Sequence, residues 1–236
     1  MRLDIYLFQN KFYESRARAA AAIESGLVLV NKKIAVKAGQ IVCENDQITT
    51  RPLPYKSGRG ALKLAHAMDA FNINPDGWVC LDVGASTGGF TEVLLNRGAA
   101  RVFAVDVGTS QLNSELKNDH RVVSLENVDI RALPPIAPVD LIVIDVSFIS
   151  VGDIADAVAK WNANKIIVLI KPQFEVPRRI AAKSDGVIRD EKYHNDAING
   201  VVSVMERVGY AAHDVIKSPI LGGSGNTEFL GYFIRK

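Results

Sequence analysis

From Leu62 onward, short apolar strands alternate with helical stretches, and this alternation restricts the possible fold more than any other feature of the sequence. The predicted strands are nearly continuous runs of aliphatic residues at 79–83, 101–107, 122–125, 141–144 and 166–170. Strands of this kind are typical of a parallel sheet that helices cover on both faces. Two later strands, 210–218 and 228–235, flank a glycine-containing loop and predict an antiparallel hairpin. We therefore predict an α/β fold with a seven-stranded, mostly parallel sheet and a terminal antiparallel hairpin.

The composition excludes several classes of protein. With 236 residues, of which 48% are hydrophobic and 23% charged, the chain is neither disordered nor fibrous. No apolar run approaches the roughly 20 residues that a membrane helix needs, and charged residues stand where a signal peptide would be apolar. Cys43 and Cys80 are too few for a disulfide framework or a zinc site, and the histidines lack ligand spacing. We therefore expect a cytoplasmic protein without a metal ion.

Residues 1–50 have a different pattern, that of a small α+β module. Ser15 is the predicted N-cap of an alanine-rich helix that ends at Gly26. Short strands are predicted around Val28, Val30, Ile34, Val36, Ile41, Val42 and Ile48. Prolines and glycines then interrupt regular structure. The predicted organisation is a first domain at 1–50, a linker at 51–60 and a second domain at 61–236.

Charge is distributed unevenly between the two parts of the chain. Residues 1–63 hold 11 Lys and Arg against 5 Asp and Glu, whereas residues 64–236 hold 17 against 21. A basic first segment predicts a polyanionic partner such as nucleic acid. The alternative is that a short domain carries this surplus without any partner.

A glycine-rich turn follows the first strand of the second domain and precedes a helical run. Its residues are Asp82, Val83, Gly84, Ala85, Ser86, Thr87, Gly88, Gly89 and Phe90. Glycines at a strand-to-helix turn let the backbone approach a ligand and leave helix N–H groups free to bind it. Asp106 ends the second strand, 22 positions after Gly84, where a carboxylate can accept hydrogen bonds from ribose hydroxyls. The turn therefore predicts a nucleotide-like ligand at the carboxyl edge of the sheet.

The glycine spacing distinguishes between two such ligands. It departs from the G-x-G-x-x-G pattern of dinucleotide sites, and Asp82 lies two residues before the first glycine. A carboxylate there suits the cationic amino-acid tail of S-adenosylmethionine, which has no pyrophosphate. The turn favours S-adenosylmethionine over NAD, although a turn that only packs a helix against the sheet is the alternative.

Charged residues also stand at the ends of the apolar strands. Asp145 and Lys171 each end a strand, and Glu228 opens the last one. Lys63 enters the second domain just before its first strand. Buried charges are costly unless they are solvated, paired or used. We predict that these four side chains act together, although ordinary ion pairs at strand ends are the alternative for each one alone.

Two lysines and two carboxylates beside a methyl donor suit the methylation of a ribose 2′-hydroxyl, which must lose its proton as it reacts. Our hypothesis is that Lys171 is the base and that Lys63, Asp145 and Glu228 set its charge and orientation. A lysine acts as a base only when it is neutral. Burial and a second lysine favour the neutral amine, whereas adjacent carboxylates favour the ammonium, and the sequence leaves this balance open. The segment 145–148 lacks the Asn/Asp-Pro-Pro-aromatic motif of enzymes that methylate nitrogen.

The chain resembles, over nearly its whole length, the TlyA-type hemolysin/rRNA methyltransferases. The segments that carry the resemblance are RLD at 2–4, SRA at 15–17, RGALKL at 59–64, DVGASTGGFT at 82–91, AVDVG at 104–108, DVSFIS at 145–150, KPQFE at 171–175 and GNTEF at 225–229. This family joins a ribosomal-protein-like RNA-binding module to an FtsJ-like 2′-O-methyltransferase domain with a Rossmann-like fold. The resemblance implies that the substrate is ribosomal RNA or an assembled ribosomal subunit, and it predicts no oligomeric state.

The resemblance also implies roles for particular residues. The family's Lys-Asp-Lys-Glu set falls on Lys63, Asp145, Lys171 and Glu228. S-adenosylmethionine is expected at the turn that contains Gly84 to Phe90, at Asp106 and Val107 and, for the adenine, at Asp129 and Ile130. The residues expected to face RNA are Arg2, Arg16, Arg18, Lys32, Lys33 and Arg59.

The chain departs from the family pattern at two places. Gly58 stands where a serine is usual, and 176–183 replaces a glycine-rich stretch. The second change adds Arg178, Arg179 and Lys183, which could contact phosphate or form a solvated loop. Two other functions stay open at this point, namely a membrane-lytic protein and a non-catalytic RNA-binding factor in ribosome assembly.

Overall fold

The computed structural model describes residues 1–24, 26–51, 55–222 and 224–236. These residues form two compact units, Met1–Arg59 and Gly60–Lys236. Part of the predicted linker, at 52–54, and Gly223 of the predicted hairpin loop lie outside the described residues. The side chain of Lys183 lies outside them as well.

The first unit packs two helices against a small sheet. Its elements are α1 (Leu3–Gln9), α2 (Arg16–Glu24), β1 (Val28–Val30), β2 (Lys33–Ile34) and β3 (Ile48–Thr50), with sheet order β2-β1-β3. Ser15 caps α2, since its Oγ accepts a hydrogen bond from the Arg18 backbone N–H at 3.2 Å. The predicted strand at Ile41 and Val42 is wrong, because only an isolated bridge joins Ile41 to Arg2.

The second unit is the predicted α/β domain. Its helices are α3 (Arg59–Ala70), α4 (Gly89–Asn96), α5 (Ser114–Lys117), α6 (Ala155–Ala159), α7 (Pro172–Glu175), α8 (Arg178–Lys183) and α9 (Glu191–Arg207). Its strands are β4 (Val79–Val83), β5 (Arg101–Asp106), β6 (Val122–Glu126), β7 (Leu141–Ile144), β8 (Lys165–Ile170), β9 (Tyr210–Lys217) and β10 (Phe229–Arg235). They form one sheet in the order β6-β5-β4-β7-β8-β10-β9, with β10 antiparallel to both neighbours. The predicted seven-stranded sheet and terminal hairpin are confirmed.

The start of the second unit differs from the sequence prediction. Residues 59 and 60, which were expected in the linker, already belong to α3, so Lys63 lies on a helix. The helix forms because Ala61, Leu64 and Met68 recur at helical spacing and bury one face. The glycine at position 60 masked this pattern in the sequence.

The sheet topology determines where a ligand can bind. The chain passes from β4 outward to β5 and β6 and then returns to β7 on the other side of β4. Open α/β sheets bind ligands at the carboxyl ends of the strands beside such a switch point. The core strand residues Ile142, Ile144, Ile166 and Val168 are 0% exposed, so the sheet is a rigid support for this edge.

A buried carboxylate organises the first unit. Asp4 accepts hydrogen bonds from the guanidinium of Arg2 at 2.9 and 3.1 Å and from that of Arg16 at 3.0 Å. These donors, above all Arg2, outweigh the effect of burial and lower the pKa of Asp4 to about 2. Because the folded pKa lies below the unfolded value of about 3.9, the network stabilises the unit above about pH 4, and the contribution disappears as the pH falls toward 2.

We expect Asp4→Asn to destabilise this unit by about 1 to 2 kcal/mol at pH 7, a discounted figure because both arginines are half exposed to solvent. Amide hydrogen exchange of residues 1–51 in the full chain measures the change. The difference from wild type should shrink between pH 4 and pH 2.5. Glu44→Gln, an exposed acid in the same unit, is the control that should change nothing. A difference that stayed constant down to pH 2.5 would contradict the role of the carboxylate.

Candidate active site

Two lysine–carboxylate pairs meet at the carboxyl edge of the sheet. Lys63 Nζ donates a hydrogen bond to Glu228 Oε2 at 2.5 Å, and the two side chains are only 9% and 3% exposed. Lys171 Nζ lies 2.6 Å from Asp145 Oδ1, and these side chains are 10% and 22% exposed. The four residues that the sequence singled out are therefore brought together as two pairs of opposite charge.

The strand order explains why the pairs are neighbours. Asp145 follows β7 and Lys171 follows the adjacent parallel strand β8, so both side chains stand at the same edge. Phe229 of β10 pairs with Ile170 of β8, which sets Glu228 beside Lys171. Helix α3 supplies Lys63 to this edge from outside the sheet.

Two glycines leave room for this arrangement. Gly84 has φ +85°, and a Cβ there would lie 2.5 Å from the carbonyl oxygen of Asp145. A Cβ on Gly222 would overlap the carboxylate of Glu228. Side chains at these positions would displace the two acids of the pairs.

Lys171 makes further contacts that differ in kind from its ion pair. Its Nζ donates a hydrogen bond to Ser147 Oγ at 2.8 Å and lies 5.9 Å from the centre of the Phe174 ring. Asp145 Oδ1 is buried and, within the described residues, accepts no hydrogen bond. The contact between Lys171 and Asp145 is thus an ion pair without hydrogen-bond geometry.

A cavity of about 490 Å³ lies next to Asp145 at the same edge. Its lining includes six of the residues predicted to bind the cofactor: Gly84, Ser86, Asp106, Val107, Asp129 and Ile130. The volume is within the range of small-molecule sites. Apolar walls at Val107, Val128 and Ile130 suit a purine, and Asp106 offers a carboxylate to a ribose, so these residues fit a nucleoside-like ligand.

Asp106 is already oriented by the backbone. Its two carboxylate oxygens accept hydrogen bonds from the N–H groups of Ser86 and Gly108, both at 2.7 Å. A carboxylate has about four acceptor positions, so two stay available for ribose hydroxyls. The glycine turn and the end of β5 are thereby tied together at the cavity.

The other six residues predicted to bind the cofactor do not line the cavity; they are Asp82, Ala85, Thr87, Gly88, Gly89 and Phe90. Asp82 lies beneath the turn. It is 0% exposed, accepts a hydrogen bond from Thr91 Oγ1 at 2.7 Å, and its other oxygen has no partner among the described residues. Burial raises its pKa to about 7. Asp82 therefore ties β4 to α4, and its contact with a cofactor stays a prediction.

The cavity wall also contains a residue that the sequence prediction missed. Arg131 donates hydrogen bonds from its guanidinium to Asp129, the predicted adenine contact, at 2.5 to 3.0 Å. This pairing lowers the pKa of Asp129. The signal in the sequence is the i, i+2 spacing of an acid and an arginine just after a strand.

Phe148 is a second residue that the prediction did not single out. It is 84% exposed, lines the cavity and adopts φ +70°, a conformation that is strained for a bulky residue. Its ring lies 5.3 Å from that of Phe174. An exposed aromatic ring at this edge offers a surface on which an unstacked base can lie.

The residues predicted to face RNA fall into two groups. Four are bound within the first unit: Arg2 and Arg16 to Asp4, Arg18 to Glu14 and the Lys56 carbonyl, and Arg59 to Glu24. Lys32 and Lys33 are exposed at the turn between β1 and β2, where Asn31 and Lys32 have positive φ. The arginines thus have structural contacts as well as charge, whereas the two lysines project from a hairpin turn.

Arg178 and Arg179 begin α8 and are exposed.

Among the residues that the structure describes, no group of three or more His, Cys, Asp or Glu is arranged to hold a metal ion. Likewise, no described helix combines the length and apolarity that crossing a membrane requires.

Comparison with known proteins identifies the family. Residues 55–235 match the model of the FtsJ-like methyltransferases, and residues 1–48 match that of the S4 domain. Hemolysin A of Brachyspira hyodysenteriae is 39% identical over 241 residues, which cover 99% of this chain and 100% of that protein. The 16S/23S rRNA (cytidine-2′-O)-methyltransferase TlyA of Mycobacterium tuberculosis is 41% identical over 236 residues, covering 97% and 87%.

A solved structure agrees with this assignment. The structure of a protein that carries the hemolysin name, from Streptococcus thermophilus, matches with a TM-score of 0.77 at 34% identity and covers 100% of this chain and 88% of that one. Both domains and their order are therefore common to the chain and its relatives. The chain belongs to the TlyA-type hemolysin/rRNA methyltransferase family, in which an S4 domain precedes an FtsJ-like methyltransferase domain.

Proposed function

We propose that this protein transfers a methyl group from S-adenosylmethionine to a ribose 2′-hydroxyl of ribosomal RNA. The observation that carries the proposal is the position of Lys171, which stands beside Asp145 where that residue borders the cavity. Relatives named as rRNA (cytidine-2′-O)-methyltransferases supply the substrate class.

Lys171 is better suited than Lys63 to act as the base. Lys63 is buried and donates a short, charge-assisted hydrogen bond to Glu228, so losing its proton would leave a buried carboxylate without a partner. Lys171 is buried to the same degree, but its partner Asp145 is 22% exposed, so solvent can stabilise that carboxylate, and the contact between the two lacks hydrogen-bond geometry. Neutral Lys171 can therefore accept the proton of the 2′-hydroxyl, and the ammonium that forms is stabilised by Asp145.

The Lys63–Glu228 pair helps to hold the Lys171–Asp145 pair in position. The ion pair of Lys63 and Glu228 is nearly excluded from solvent, which makes its geometry rigid. Because Phe229 pairs with Ile170, Glu228 precedes β10 at the same edge where Lys171 follows β8, so its charge lies near that of Lys171. We assign Lys63 and Glu228 to positioning and Lys171 to proton transfer.

The cavity is the site we assign to S-adenosylmethionine. When bound, this cofactor supplies a methyl group activated by a sulfonium. Asp106 would accept hydrogen bonds from its ribose, and Asp129, held by Arg131, would accept one from the adenine amine. Val107 and Ile130 would provide apolar contact for the ring.

The S4 domain is the part that we expect to hold the RNA. Basic residues outnumber acidic ones in this domain and in the segment up to residue 63 that follows it, which suits a phosphate backbone, and contacts of this kind position a protein without reading sequence. A ribosomal-RNA substrate would be met in the cytoplasm.

The direct test of the proposed function is transfer of labelled methyl to ribosomal subunits from cells lacking the protein, followed by mapping of the modified ribose. If no RNA is labelled, the chain is instead a binding factor.

We expect Lys171→Ala to lower kcat for methyl transfer by about 10²- to 10⁴-fold, because no base removes the hydroxyl proton. Lys171→Arg should be equally inactive, since a guanidinium stays protonated. Single-turnover assays with labelled cofactor measure both. Lys165→Ala, at the other end of β8, is the matched control and should keep wild-type activity. An active Lys171→Arg enzyme would show that only the positive charge matters.

Asp106→Asn should weaken the binding of S-adenosylmethionine by about ten- to a hundredfold, because an amide is a poorer acceptor for two ribose hydroxyls. Isothermal titration calorimetry of the RNA-free protein gives the dissociation constant. Asp140→Asn is the control: Asp140 also accepts a backbone hydrogen bond, from Val79 at 2.9 Å, but at the opposite end of the strands. Equal effects of the two substitutions would remove the cavity as the cofactor site.

Replacing both Lys32 and Lys33 by Ala should reduce the salt dependence of RNA binding. Each lost phosphate contact lowers the slope of log K against log[salt] by about 0.7 to 0.9. Filter binding to ribosomal RNA between 50 and 300 mM salt measures the slope. Lys160→Ala with Lys236→Ala removes the same charge from the second unit and should leave the slope unchanged. A slope that falls equally in both double variants would mean that binding responds only to net charge.

A further inference from the structure

Ser147 makes the one directional contact that the Lys171 amine has among the described residues. Its Oγ accepts a hydrogen bond from Lys171 Nζ at 2.8 Å, whereas Asp145 lies within ion-pair distance but outside hydrogen-bond geometry. Ser147 is exposed and lines the cavity, so it stands between the lysine and the bound cofactor's site. In the part of the chain that the structure describes, none of the other three residues of the Lys-Asp-Lys-Glu set provides such a contact to Lys171.

The two contacts of Lys171 respond differently to the loss of a proton. Attraction between Lys171 and Asp145 depends on charge, and it weakens when the amine becomes neutral. A neutral amine still has two N–H groups that can donate and one lone pair that can accept a proton. The hydrogen bond to Ser147 persists in this state and is directional. It therefore limits the directions in which the lone pair can point.

We propose that Ser147 is a positioning residue that orients the neutral Lys171 amine toward the ribose hydroxyl. The inference rests on the proposed function, because it concerns the same proton transfer. General base catalysis requires hydrogen-bond distance between the base and the proton that it removes. A lysine side chain has several rotatable bonds, so an uncharged amine without Ser147 would sample orientations that point away from the hydroxyl.

Because Ser147 is exposed, its contribution to the orientation of Lys171 depends on whether RNA is bound. In the free enzyme, water can replace the hydroxyl as a hydrogen-bond partner of Lys171. Once bound RNA covers this edge and excludes water, Ser147 is the hydrogen-bond partner that Lys171 retains. Ser147 therefore affects the rate of the step in the enzyme–RNA complex rather than the binding of RNA. Ser147→Ala should therefore lower kcat while leaving KM for RNA and the affinity for the cofactor nearly unchanged.

We expect Ser147→Ala to reduce kcat by about tenfold, the value of one hydrogen bond at about 1.4 kcal/mol. Because the residue is exposed, the substitution creates no buried cavity, and the melting temperature should not change. Ser203→Ala, at an exposed position on α9, is the matched control. Ser147→Thr keeps the hydroxyl and should restore kcat to within about threefold of wild type.

The pH profile separates orientation of the amine from a merely structural role. Without Ser147, the ammonium loses an acceptor and gives up its proton more readily, so the acid limb of the kcat profile should move to lower pH as the plateau falls. A purely structural change would lower the plateau of the kcat profile without moving its acid limb.

The proposal is overturned if Ser147→Ala keeps wild-type kcat or if the Ser147→Ala and Ser147→Thr variants are equally impaired. If wild-type protein methylates no RNA, the proposed function fails instead.

Discussion

Charged side chains at the end of a buried sheet are stable only when each has a partner, and this constraint organises the site. Lys63 with Glu228 and Lys171 with Asp145 satisfy it pairwise. Removing either member of the nearly buried Lys63–Glu228 pair would cost several kcal/mol, so this pair must form for the edge to keep its shape. The chemistry we propose therefore depends on groups that the fold itself must hold in place.

The parallel sheet makes this concentration of charge possible. Parallel neighbours end at the same edge, so Asp145 and Lys171 meet although 26 positions separate them in the chain. The reversal of strand order beside β4 opens a cavity at that same edge, with Asp106 on its far side. A nucleoside-sized ligand and a proton acceptor can thus be adjacent without any long loop to join them. The antiparallel β10 adds Glu228 by entering from this edge.

Sequence predicted the sheet because strands buried on both faces are almost continuously apolar, and it singled out Asp145 and Lys171 because each ends such a run. It could not give the contacts that depend on distance rather than on order in the chain. Asp82 stands at the right position for a ligand contact, yet it is covered by α4 and bound to Thr91. Ser147 has no special spacing, and only the approach of Lys171 from the next strand gives it a partner. Helix α3 was hidden because glycine at its start is typical of a linker.

The two pairs differ in their contacts, because only Lys63 donates a hydrogen bond to its carboxylate, and that difference suits a division of labour. With both lysines charged, the four side chains are electrically neutral. When Lys171 gives up its proton, the set carries one negative charge, which favours taking a proton back from a nearby hydroxyl. The buried pair of Lys63 and Glu228 cannot exchange roles with the Lys171–Asp145 pair, because losing a proton there would leave a carboxylate that is 3% exposed without a partner. The carboxylate partner, rather than residue type, thus distinguishes the two lysines: Lys63 donates a hydrogen bond to a carboxylate that is 3% exposed, whereas Lys171 lies beside one that is 22% exposed and without hydrogen-bond geometry.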